Sequence, residues 1–152
     1  MIETDNFNLM VEQEKLTTVN KKKINPRNIE KLPEIISKYI NTLPETPYTA
    51  MGFNFVYTIE VGREILKNIF LINDKKLTEI FSNKYEFGGI IKFSFENFIV
   101  TLTIKPQDAD HISGSFNFHY ASQNKENLIK NLSIYQKARK FSEKILKELF
   151  DV

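Results

Sequence analysis

Cysteine and tryptophan are absent from this chain, histidine occurs twice, and arginine occurs only at Arg27, Arg63 and Arg139. The missing thiols exclude disulfides, thiol catalysis and Cys-based zinc sites. With so few imidazoles, the common forms of nucleophilic catalysis have few parts to draw on. No apolar run approaches the roughly 20 residues that span a bilayer. Residues 1–10 lack a basic segment followed by an apolar one, so no signal peptide is expected and the cytoplasm is the expected compartment. A dominant charge is lacking too: the formal net charge is +2, which argues neither for nor against a nucleic-acid partner. Glycine is sparse, and none of it falls in a G-x-x-x-x-G-K or G-x-G-x-x-G pattern. There is no G-x-S-x-G elbow, no H-E-x-x-H pair and no kinase set. No cofactor is expected.

What the chain does have is phenylalanine, thirteen residues of it, in a composition that is 41% hydrophobic and 26% charged. That balance is ordinary for a globular protein. At 152 residues the chain is long enough for one core and too short to expect two, so residues 1–152 are expected to form a single α+β domain.

Residues 122–150 carry the clearest pattern. At about 100° per residue, Leu128, Leu132, Tyr135, Ala138, Ile145, Leu146 and Leu149 share one side of a helix. Ile134, Phe141 and Phe150 lie at the margins, and Lys130, Lys137, Lys140, Lys144 and Lys147 gather opposite. Ser122 or Asn124 supplies an N-cap. Read as one rod, this segment would reach roughly 40 Å, against about 17–20 Å for a typical strand. Its apolar arc is wider than a one-sided contact needs. The excess is expected to meet a second layer or another copy of the chain.

Earlier in the sequence, Phe7, Leu9 and Val11 alternate with polar or flexible residues as in a half-buried strand, which Leu16 to Val19 extend. Lys21, Lys22 and Lys23 follow in a polar connector. Asn25-Pro26 has the form of a helix start, and Ile29, Leu32, Ile35, Ile36, Tyr39, Ile40 and Leu43 recur at helical spacing. Pro33 interrupts that run. The expectation is a short turn over 26–31 and a main helix whose first turn holds Pro33, ended by Pro44 and Pro47.

The strongest strand runs over 46–60, with Phe53, Phe55, Tyr57 and Ile59 on one face and Asn54, Val56, Thr58 and Glu60 on the other. Gly62 breaks it. Ile65, Leu66, Ile69 and Phe70 have helical spacing, and a second short helix is expected over 74–81. After Gly88-Gly89 a hairpin pairs Ile91, Phe93 and Phe95 with Phe98, Val100, Leu102 and Ile104. Its turn falls at Glu96-Asn97, where Asn tolerates the left-handed conformation. Residues 106–110 form a polar loop, and Phe116, Phe118 and Tyr120 mark a last strand. The expected fold class is therefore α+β: an antiparallel sheet of about five strands, covered on one face by two longer helices including a long C-terminal one.

Three groups of residues carry candidate chemistry. Asp108, Asp110, His111 and His119 combine carboxylates and imidazoles that suit a divalent metal, and with it a hydrolase or nuclease; the plainer reading is a solvated loop. The lysines of the last helix, with Lys21, Lys22, Lys23 and Arg27, could neutralise nucleic-acid phosphates. Glu126 and Glu148 on the same face, and the scarcity of arginine, favour an ordinary solvated surface. The Pro-bounded segment 43–52, with Tyr48 and Met51 exposed, could be a recognition edge for another strand or peptide, or simply a helix stop leading into a strand.

The leading expectation is a non-enzymatic interaction or assembly protein. It would form a homo-oligomer, a dimer by default, or bind a protein partner, through surplus apolar helix surface at Tyr135, Arg139, Phe141, Leu146 and Phe150. A metal-dependent hydrolase and a nucleic-acid binder are the alternatives, and no membrane partner is expected.

Overall fold

Phenylalanine at every second position builds the main sheet. In the computed structural model, which describes residues 2–3, 7–11, 16–20, 26–43, 45–82 and 85–151, four strands pair antiparallel. They are β4 (Ala50–Ile59), β5 (Gly89–Phe95), β6 (Phe98–Pro106) and β7 (Ile112–Ala121), in the spatial order β4-β7-β6-β5. The register aligns Phe53, Phe118, Val100 and Phe93 in one row across the sheet, and Phe55, Phe116, Leu102 and Ile91 in the next. A strand's side chains alternate between faces, so both rows lie on one face. Phe118, Val100, Phe116 and Leu102 are at most 1% exposed.

The antiparallel α+β class agrees with the sequence reading, with one difference in the sheet. The N-terminal strand expected to join it is instead a separate three-stranded sheet of β1 (Ile2–Glu3), β2 (Phe7–Val11) and β3 (Leu16–Asn20), paired antiparallel in that order. The main sheet thus has four strands, not five.

Helix α1 (Pro26–Thr42) continues through Pro33 as one element. The separate turn expected over 26–31 does not form. A proline inside a helix forfeits a backbone hydrogen bond at a cost of about 3 kcal/mol. Burial of Leu32 before it and Ile40 after it, 7% and 6% exposed, holds both sides in one element. Asn25, Pro44 and Lys21 to Lys23 lie outside the described residues. Short helices α2 (Ile65–Ile69) and α3 (Asp74–Phe81) follow β4, the latter capped by Asn73, whose side chain accepts from the Lys76 N–H at 3.1 Å.

The C-terminal rod is two helices, α4 (Lys125–Leu132) and α5 (Tyr135–Phe150). No glycine or proline marks the break. Ser133 Oγ donates to the Lys130 carbonyl at 2.7 Å, and the Asn131 amide donates to the Asn127 carbonyl at 2.8 Å. Such short polar side chains compete with the helical ladder. The backbone there tightens to i→i+3 bonds, from the N–H of Ser133 to Lys130 and of Ile134 to Asn131. The break lets α4 meet α1 while α5 lies on the sheet against β4 and β7. Asn124 caps α4, its Oδ1 accepting from the Asn127 N–H at 3.1 Å.

Where Leu146 of α5 meets the sheet, the facing row is Tyr57, Gly114, Ile104 and Gly89. A Cβ on Gly114 would sit 3.0 Å from Leu146 Cδ2, so the missing side chain admits the helix. At Gly89 a Cβ would fall inside the Phe70 ring, 2.1 Å from two of its carbons. The β5–β6 turn places its positive φ on Glu96 (51°) rather than on Asn97. Tertiary contacts decide this: Lys137 pairs with the Glu96 carboxylate, and the Asn97 amide donates to Asn131 Oδ1 at 3.3 Å.

Candidate functional site

Of the expected metal ligands, only the Asp108 and His111 side chains come together. Asp108 Oδ1 accepts from the backbone N–H groups of Asp110 and His111, each at 2.9 Å, and lies 2.8 Å from His111 Nδ1. This closes the loop between β6 and β7. Its pairing with His111 holds the Asp108 carboxyl below the usual carboxylate range and raises the imidazole above 6.5. His119 sits eight residues further along an extended strand, about 26 Å away at ~3.3 Å per residue. Among the described residues, no group of three or more such side chains is placed to hold a metal ion.

The lysine stripe is interrupted by counter-charges. Lys137 is paired with Glu96 and lies 5.8 Å from the centre of the Phe95 ring, and Lys144 is 3.5 Å from Glu148. Lys130, Lys140 and Lys147 are exposed.

The helix residues expected to meet a partner are engaged within the chain. Leu146 and Phe150 are 5% and 3% exposed. Tyr135 sits between Phe53 and Phe55, with ring centres 5.2 and 5.4 Å away, and Phe141 stacks on Phe95 at 4.2 Å. Arg139 pairs with Glu143 through both Nε and Nη2, each at 2.9 Å. Because the rod is broken, its apolar arc is shared between two neighbours. Tyr48 and Met51, expected to be exposed, are half-buried against the core. Among the described residues, the large hydrophobics that stay exposed lie elsewhere, including Val56 (71%), Ile90 (65%) and Ile99 (62%) on the uncovered face of the sheet.

A cleft that sequence reasoning missed lies beside α2 and α3, about 200 Å³ in volume and lined by Arg63, Lys67, Asp74, Tyr85 and Phe87 among others. Its Glu64, Lys67 and Asp74 charges satisfy one another. Lys67 Nζ lies 2.5 Å from Glu64 and 3.1 Å from Asp74, and Tyr85 Oη donates to Asp74 at 2.5 Å. The tyrosine and then the lysine hold the Asp74 carboxyl below its ordinary range. These contacts tie α2, α3 and Tyr85 together.

The most distinctive free surface is the outer edge of β4. The Ser122 N–H bonds to the Thr49 carbonyl at 3.0 Å, in continuation of the β4–β7 register. In an antiparallel pair, hydrogen-bonded and non-bonded positions alternate. The odd-numbered residues of β4 therefore bond to β7, and Ala50, Gly52, Asn54, Val56 and Thr58 turn their N–H and C=O groups away from it. Among the described residues, no backbone hydrogen bond reaches that side, and all five residues are exposed. For Gly52 the exposed surface is backbone itself.

Helix α5 borders this edge, running from Tyr135 over Phe53 to Leu146 beside Gly114 and Ile59. Between strand and helix lies an open cleft of about 450 Å³, lined by Tyr57, Thr58, Ile59, Glu60, Glu143, Leu146 and Lys147. Burial, then the nearby Glu143 carboxylate, pushes the Tyr57 hydroxyl up to about 12. Natural edge strands are blunted by lysine, proline, bulges or short length. β4 has ten residues, every one in register with β7, and neither a charge nor a proline. The other edge, β5, carries Lys92 at its centre. No protein-family model, curated protein or solved structure matches the chain.

Proposed function

We propose that this chain is a non-enzymatic interaction and assembly protein, which adds a β-strand from a protein partner or from another copy of itself to the outer edge of β4. The observation that carries this reading is the row of outward-turned backbone groups from Ala50 to Thr58, on exposed residues of a strand with no charge to deter pairing. Main-chain hydrogen bonds supply the affinity in strand addition, and side chains on alternate positions supply the selectivity. The cleft beside Ile59 and Leu146 offers the incoming strand an apolar flank. The cytoplasm is the compartment that goes with this reading.

Val56→Pro tests it. The Val56 N–H faces away from β7, so proline at this position removes no bond of the sheet, but it blocks an incoming strand. The probe is a synthetic peptide of residues 48–61, followed by fluorescence anisotropy, alongside sedimentation velocity of the protein over a range of concentrations. Binding or self-association that disappears in Val56→Pro, with an unchanged circular-dichroism spectrum, supports the reading. Its failure is equally plain: no peptide binding and no association by the wild type, or association that Val56→Pro leaves intact.

A further inference from the structure

Resting on that reading, we propose that the strand added to β4 is β4 of a second copy, paired antiparallel about a two-fold axis that passes beside Asn54, so that the two four-stranded sheets become one of eight.

A symmetric antiparallel contact sets a strand against itself, so every charge on it meets its own kind or a near neighbour. The sequence AMGFNFVYTI carries none. At the β5 edge the same operation would bring Lys92 close to Lys92 of the other copy, and like charges across a strand pair are destabilising. Of the two edges, only β4 carries no charge to set against its own copy.

Asn54 fixes the register. Its Oδ1 accepts from Asn117 Nδ2 at 2.9 Å on the uncovered face, and its own amide N–H groups have no partner among the described residues. With the axis beside Asn54, the two Asn54 amides donate reciprocally to the two Oδ1 atoms, each of which has a second lone pair. The result is a ladder of four asparagines across the joined sheets. The same register sets Gly52 against Val56 and Ala50 against Thr58, small residues facing β-branched ones. On the covered face it sets Met51 against Tyr57, both of which the single chain leaves half-buried.

The absence of cysteine makes crosslinking through introduced cysteines unambiguous. At a hydrogen-bonded pair the Cα atoms are about 5.5 Å apart, within the disulfide range of about 4.4–6.8 Å. The double variant Ala50→Cys/Thr58→Cys leaves Asn54 in place and, mildly oxidised, is expected to give a disulfide-linked dimer of twice 17.8 kDa. Val56→Cys is expected to give none, because the two copies of residue 56 stand four residues apart in register, about 13 Å along the strands. Unmodified protein is expected to sediment at twice the single-chain mass, and Val56→Pro at the single-chain mass. Crosslinking of Val56→Cys as readily as of Ala50→Cys/Thr58→Cys, or no crosslink of the double variant, overturns the register. A wild type that stays monomeric while binding the 48–61 peptide overturns the second copy as occupant and leaves strand capture standing. Absence of both removes the two together.

Discussion

Gly114 and Leu146 meet across the helix–sheet interface: a Cβ on the glycine would lie 3.0 Å from Leu146 Cδ2 and 3.5 Å from Ile59 Cδ1. The strand position is filled from above by the helix. Gly114→Val is therefore expected to force α5 off the sheet or Leu146 out of its rotamer, costing about 1–3 kcal/mol as overpacked cores do. Gly114→Ala should cost less, since the near atom is a side-chain end that can give. Urea unfolding of the two variants checks the order; a stabilised Gly114→Val would show that the contact is looser than described.

Phe118 and Ile99 make a matched pair on the two faces of the sheet. Phe118 is 0% exposed and touches the rings of Phe55, Phe95, Phe98 and Phe116. Truncation to alanine should cost about 3–5 kcal/mol. Ile99, at 62% exposure, should tolerate Ile99→Thr within about 0.5 kcal/mol. Chemical denaturation of both reads the asymmetry directly.

Asn124→Ala removes the oxygen that accepts from the Asn127 N–H. A loss of about 1 kcal/mol is expected, as for other N-caps. Asn124→Asp should retain most of the stability, because aspartate caps equally well and its charge suits a helix N-terminus. Thermal melts distinguish capping from a packing role, for which Asp would fail as Ala does.

The Asp108–His111 pair sets a pH window for its loop. The His111 pKa is raised, so its contribution is fully present below the unfolded value near 6.5 and is lost as pH rises through the folded value. The Asp108 pKa is lowered, so its contribution is present above the unfolded value near 3.8 and is lost as pH falls through the folded one. The loop should be tightest between those limits, in mildly acid solution. An NMR titration should place the His111 midpoint above 6.5, and Asp108→Asn should bring it back toward that value.

Tyr57 gives the alkaline counterpart. Its hydroxyl titrates at about 12 rather than 10, so the folded state keeps a proton that the unfolded chain gives up. Stability should fall as pH rises above 10. Ultraviolet titration should show a late-ionising tyrosine that Tyr57→Phe removes.

Much of the fold is legible in the residues, because it depends on local period. The faces of β4 and β7, the arms of the β5–β6 hairpin and the span of α3 all follow from alternation or helical spacing. What escaped depends on tertiary partners. The break at Ser133 is made by side chains bonding back to carbonyls, with Asn131 held from the hairpin by Asn97. Pro33 stays helical because residues on both sides of it are buried. The left-handed turn residue is Glu96 because Lys137 and Asn131 engage the two turn side chains. Of the candidate site, the alternation of β4 is visible in sequence. Its place at the edge is not, since strand order is set by which distant strand each one finds. The Asp and His residues at 108–119 lie close in number, but an extended strand carries His119 away from the rest.

The same strand order has a kinetic side. β5, β6 and β7 join through short neighbouring loops, whereas β4 reaches β7 only after residues 60–111 have been closed into a loop. Non-local pairings of this kind form slowly. Until β4 arrives, β7 has a vacant flank, and a β4 from a neighbouring molecule fits it as well as the chain's own. Crowded refolding should therefore yield exchanged strands, and dilution during refolding should suppress them.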